Sequence, residues 1–125
     1  MLKNAPVMPT IPVADVARAK NFYENILGFS PKNEMPGGTL YDAGKGTYFF
    51  VYPSAGAGTS KATYASWEVE NIESAVSNLK AKGVAFEEYD MPGLKTENSI
   101  ANAGNVRASW FKDSEGNILG IIQRM

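Results

Sequence analysis

Two stretches of this chain repeat one another, and neither is long enough to bury its own core. Placing Asp15 on Asn71 sets Val13 on Val69, Val16 on Ile72, Ala19 on Ala75 and Tyr23 on Leu79. Placing Gly46 on Gly116 sets Tyr48-Phe49-Phe50-Val51 on Ile118-Leu119-Gly120-Ile121. Each copy reads as a strand, a helix and two or three further strands. Such a unit leaves one sheet face bare, so two of them must lie side by side and share their burial. The expectation is an α+β chain built from two tandem modules.

The local signals place the elements. Residues 7–13 (VMPTIPV) read as a short strand whose two prolines suit an edge or a strand start. Asp15 fits a helix N-cap, Val16, Ala19, Tyr23, Ile26 and Leu27 follow at helical spacing, and Gly28 closes the helix. Residues 39–43 and 47–52 read as strands joined through Gly44-Lys45-Gly46. The small residues at 54–61 form a loop joining modules 5–53 and 62–124 within one domain, 1–125. The pattern then restarts with a strand at 64–69, Asn71 as cap, and a helix carrying Ile72, Ala75, Val76 and Leu79 up to Gly83. Strands are expected at 84–89, 106–111 and 117–123. Between the first two lies DMPGLKTENSIANAGN, a long loop open to two readings. Lys95, Thr96, Glu97 and Asn98 either close over a ligand or belong to an ordinary surface loop.

Composition removes whole classes of function. The 125 residues include no histidine and no cysteine. Imidazole or thiolate metal sites, Ser-His-Asp triads, Cys-His pairs and disulfides are therefore all excluded. A net charge of −1, with Lys and Arg spread along the chain, gives no nucleic-acid footprint. No apolar run approaches the ~18 residues of a membrane helix. The opening MLKNAPVMPTIPV lacks the apolar stretch of a signal peptide, so a cytoplasmic protein is the expectation. GAGTSK at 56–61 lacks the order of a phosphate loop, and Glu87-Glu88-Tyr89-Asp90 suits a solvated strand end better than paired catalytic carboxylates.

The stretch IPVADVARAKNFYENILGF resembles the strand-helix opening of the vicinal oxygen chelate superfamily, and FKDSEGNILGIIQ resembles its closing hairpin. That superfamily includes glyoxalase I, extradiol dioxygenases, and fosfomycin and bleomycin resistance proteins. The hairpin is usually written F-x-D-P-x-G-N before an apolar strand, and here Ser114 stands for the proline. The resemblance runs from about Pro6 to Gln123. It implies paired βαβββ modules whose curved mixed sheets surround a central cavity, commonly completed as a homodimer. It also implies four metal positions, two on the first strands and two on the last. The first-strand position lies seven residues before the helix cap, at Met8 and Tyr64. The last-strand position lies four residues after the hairpin glycine, at Gly120, with Phe50 as its repeat equivalent. Metal-using members carry His, Glu or Gln there. A thioether, a phenyl ring, a phenol and a hydrogen atom cannot chelate a divalent cation.

With no metal and no cofactor expected, the cavity reads as a site for a small molecule. Strand alternation puts Thr10, Tyr52, Ser66 and Glu68 on the face of the four positions. A three-residue hairpin loop, Ser114-Glu115-Gly116, would set Trp110 opposite Gly120. The candidate ligand site is thus Met8, Thr10, Phe50, Tyr52, Tyr64, Ser66, Glu68, Trp110 and Gly120. Trp67 and Phe111 read as packing residues. Aromatic walls with a few polar points suit an apolar or aromatic ligand, as in the bleomycin-type proteins. Two alternatives stand beside this reading. Glu68 or Tyr64 could serve acid-base chemistry in a metal-independent enzyme, or the large side chains could fill the cavity of a structural dimer. Membrane and nucleic-acid partners are not expected.

Overall fold

The computed structural model describes residues 1–125. Strand β1 (Thr10–Val13) leads to helix α1 (Val16–Lys20), which runs on into a wider turn over Asn21–Ile26. The Asp15 carboxylate caps α1 by accepting the Arg18 N–H at 3.1 Å, and Gly28 ends the segment at φ +85°. The widened turn lets the neighbouring Phe22 and Tyr23 both enter the core. Strands β2 (Pro31–Met35), β3 (Gly38–Asp42) and β4 (Tyr48–Pro53) complete the first half. The second half repeats the plan with β5 (Thr63–Glu68) and α2 (Ile72–Ala81), where Asn71 accepts the Ser74 N–H at 3.0 Å. Strands β6 (Asp90–Met91), β7 (Leu94–Glu97), β8 (Ile100–Ala103), β9 (Val106–Lys112) and β10 (Ile118–Arg124) follow.

The strands form two mixed sheets, β1-β4-β3-β2 and β5-β10-β9-β8-β7-β6. In each, the first strand lies parallel to the last, and the remaining pairs are antiparallel. The repeat extends to the register. Thr10 pairs with Phe50 and Ser66 with Gly120, related by the shifts that carry Asp15 to Asn71 and Gly46 to Gly116.

One face of both sheets meets the helices and is apolar. Ile11, Val13, Phe49, Val51, Leu119 and Ile121 are buried there. Tyr23, Tyr41 and Phe49 stack among them, with Tyr41 and Phe49 centroids 5.3 Å apart. Burying each such side chain is worth about 1.5–3 kcal/mol, and each aromatic pair adds about 0.5–1.5. Trp67 reaches across the halves, 5.4 Å from Phe49 and 5.6 Å from Phe29, and so packs as expected.

Four expectations are corrected. The first strand begins at Thr10 rather than residue 7, and Met8 stands before it, 42% exposed. Pro9 accepts the Phe50 N–H at 2.9 Å but has no N–H of its own with which to carry the ladder further back. Residues 84–89 do not form a strand: one bridge joins Phe86 to Phe111, and the Glu87 N–H reaches the Trp110 carbonyl. From Tyr89 onward the backbone is drawn to Thr96 instead. The segment 90–105 is a β-meander, not a loop, because Glu88 ties its turn by accepting from Thr96 and Ser99. The turn is a tight one, with Asn98 and Ser99 both at positive φ. Strand β2 was not foreseen, since PKNEM is exposed throughout and has no apolar alternation.

The closing hairpin joins the halves. The Asp113 carboxylate is buried and accepts from the Tyr23 hydroxyl at 2.6 Å, the Glu115 and Asn117 N–H groups and the Asn117 side chain. Asn117, fully buried, donates to the Pro12 carbonyl at 2.7 Å and accepts the Gly58 N–H at 2.9 Å. Glu115 accepts the N–H groups of Ala14 and Asp15 at 3.1 and 2.9 Å and both nitrogens of an Arg18 fork at 2.8 and 3.0 Å. Those donors, Arg18 first, hold the Glu115 carboxyl down at about 2. This turn is a clasp between β10 and the start of α1.

Candidate ligand-binding site

Strand pairing sets Thr10 beside Phe50, Ser66 beside Gly120 and Gly120 beside Trp110, on the face opposite the helices. Phe50, Tyr52, Tyr64 and Trp110 are half-buried there, Thr10, Ser66 and Glu68 are exposed, and Gly120 is buried. The Phe50 and Tyr52 rings lie parallel, 6.1 Å apart at 8°. Phe50 lies over Gly38 of the strand beyond: a Cβ there would sit 2.7 Å from its Cζ. Trp110 stands directly opposite Gly120, as the three-residue loop requires, and meets the Tyr89 ring edge-on at 5.4 Å. Gly120 has a specific role. A Cβ built on it would lie 2.5 Å from the Ser66 hydroxyl, so the missing side chain makes room for Ser66. Met8 lies on the irregular segment before β1, and Tyr64 also packs against the helix-side core.

The four family metal positions fail the fit test on chemistry. Met8, Phe50, Tyr64 and Gly120 supply no hard donor set, and no three acidic side chains converge anywhere to hold a cation. Glu68 is engaged elsewhere. Arg124 donates to it through Nε at 2.8 Å and Nη2 at 3.0 Å, and this fork holds its carboxyl below the usual range. Both Glu68 oxygens are engaged in this fork, which weakens the acid-base reading of Glu68.

A groove of about 880 Å³ opens between the halves, next to this face. Its apolar wall is Val7, Pro9, Tyr48, Phe49 and Trp67, and its polar rim is Lys45, Ser66, Glu68, Glu70 and Arg124. Of the nine expected site residues only Ser66 and Glu68 line it. Lys45 and Arg124 were not foreseen as site residues. The internal repeat held a usable signal, since it sets Lys45 against Glu115.

A two-module, metal-ligand-free sheet protein with an open aromatic face defines a class, and comparison supplies its family. The sequence matches the Glyoxalase/Bleomycin resistance protein/Dioxygenase superfamily over residues 6–121, so the chain belongs to that superfamily. No curated protein sequence matches it. Among solved structures, UcmS2 superposes with a TM-score of 0.74 at 18% identity, covering 94% of this chain and 96% of its own. TnmS3, an antibiotic binding protein from Streptomyces sp. CB03234, gives 0.72 at 20% identity and covers 100% and 99%. A glyoxalase/bleomycin resistance protein/dioxygenase from Alicyclobacillus acidocaldarius gives 0.70 at 17%, covering 98% and 92%. At these identities the likeness is one of fold.

Proposed function

We propose that the chain binds an apolar or aromatic small molecule, without a metal, in the space between its two halves. The observation that carries this is the exchange at the family's chelating positions. Met8, Phe50, Tyr64 and Gly120 cannot chelate, yet the aromatic groups around them keep free surface for a ligand. Sequestration needs affinity alone and tolerates the loss of every metal ligand. The antibiotic-binding TnmS3 offers a parallel on the same fold. We further read the working unit as a homodimer, with exposed Met8, Met35 and Met91 available to a second copy.

The test is a thermal-shift screen against metabolites and aromatic antibiotics, paired with elemental analysis of the purified protein. A true ligand at a hundredfold its Kd should add about 2.7 kcal/mol of stability. Loss of that response in Phe50→Ala and Tyr52→Ala variants would locate it on the open face, and loss in Tyr48→Ala would locate it in the groove beside that face. A stoichiometric divalent metal in the protein would overturn the proposal. Sedimentation velocity reads the oligomeric state.

A further inference from the structure

The halves repeat in sequence, strand order and register, so the clasp has a counterpart. The shift carrying Gly46 to Gly116 sets Ala43 against Asp113, Lys45 against Glu115 and Thr47 against Asn117. The shift carrying Asp15 to Asn71 sets Pro12 against Glu68 and Ala14 against Glu70. The counterpart of the clasp is therefore the contact of turn 43–47 with residues 68–71. The groove lies there, lined by Ala43, Lys45, Thr47, Glu68 and Glu70. At the clasp, Asp113, Glu115 and Asn117 bridge to the other half. In the groove their equivalents are too short or of the wrong charge to do so. The N–H groups of Glu70 and Asn71 have no partner in the chain, whereas those of Ala14 and Asp15 hold the Glu115 carboxylate. Lys45 forms no ion pair within 4 Å, although its charge acts on Glu68, whose carboxylate Arg124 holds in a fork. The groove is also uncovered: Gly58 of the linker seals Asn117, but Met1 and Leu2 of the corresponding segment are free in solvent.

We infer that the groove is a vacated clasp and takes a small aromatic monocarboxylate, a conclusion that rests on the small-molecule reading above. The ring lies against Tyr48 and Trp67, and the carboxylate meets Lys45 in the place that the Glu115 carboxylate fills in the other half. The Glu70 carboxylate opposes such a ligand, which gives the assignment a second handle.

Calorimetry with 1-naphthoate and its uncharged amide tests this. The acid should bind about fivefold tighter than the amide, a preference that falls with salt. Lys45→Gln should abolish the preference, and Glu70→Gln should strengthen acid binding. Lys45→Glu reverses the charge at the turn and should make the amide bind tighter than the acid. Acid and amide binding alike, unchanged acid affinity in Lys45→Gln, or no binding of either would overturn the inference. Binding that ignores Lys45→Gln but fails in Phe50→Ala would move the ligand to the open face. That result overturns the groove assignment and leaves the small-molecule reading standing.

Discussion

Replacing Glu115 by glutamine should cost stability at neutral pH and almost none in strong acid. The Glu115 side chain has no exposed surface and sits among the Arg18 fork, two backbone N–H groups and the Ser114 hydroxyl. Its carboxyl is held at about 2 against an ordinary 4.5. At ~1.4 kcal/mol per pH unit that difference is worth about 3 kcal/mol. Arg18 is 55% exposed, so water screens its share and about 2 kcal/mol is the better figure. The folded value lies below the unfolded one, so the contribution is complete above about pH 4.5 and fades as pH falls toward 2. The assay is urea unfolding of the native and Glu115→Gln proteins at several pH values between 7 and 3. The gap between the two stability curves should be widest at pH 7 and shrink steadily below pH 4.5. Glu68 and Glu88, also held low, are common to both proteins and cancel. Much of the gap should survive molar salt, because two of the donors are backbone amides. A gap that stays constant with pH would refute the reasoning, since it would then come from packing and not from the charge.

Three further substitutions probe the same scaffold. Tyr23→Phe removes the hydroxyl bound to buried Asp113 and should lower stability by about 2 kcal/mol, with an unchanged urea m-value. A loss below about 0.5 kcal/mol would show that the bond contributes little. Ser109→Ala deletes a fully buried hydroxyl that has no partner, and should raise stability by about 1 kcal/mol in thermal melts. Gly120→Val drives a branched side chain into Ser66 and Thr63, costing about 2 kcal/mol. In a Ser66→Gly background the cost should be smaller, so additive losses would count against the contact.

The elements that pack were legible because packing leaves a periodic trace. Strand alternation turns Ile11, Val13, Phe49, Val51, Trp67, Val69, Leu119 and Ile121 toward the helices; of these eight, five are less than 5% exposed and Trp67 and Val69 are half-buried. The caps Asp15 and Asn71 and the Trp110–Gly120 pairing followed from local chemistry and were also readable. What escaped was polar and tertiary. Strand β2 has no apolar face, and the meander over 90–103 depends on Glu88 reaching across eleven residues to Ser99. Neither leaves a signal within a short window. The groove was missed for a different reason. Its residues come from both parities of β5, because that strand lies at a sheet edge and presents its flank as well as its faces.

The closing hairpin separates two kinds of inference that its motif invites. Asp113, Glu115 and Asn117 bond one another within the hairpin and reach beyond it to Tyr23, Pro12, Ala14, Asp15, Arg18 and Gly58. They hold the fold together. Position 120, four residues on from Gly116, takes no part in these bonds. The clasp therefore stands whatever residues occupy positions 8, 50, 64 and 120, here Met8, Phe50, Tyr64 and Gly120. The motif carries the architecture. At Gly120 the space a chelating side chain would enter is taken by the Ser66 hydroxyl. Restoring a carboxylate there would first require Ser66 to give way.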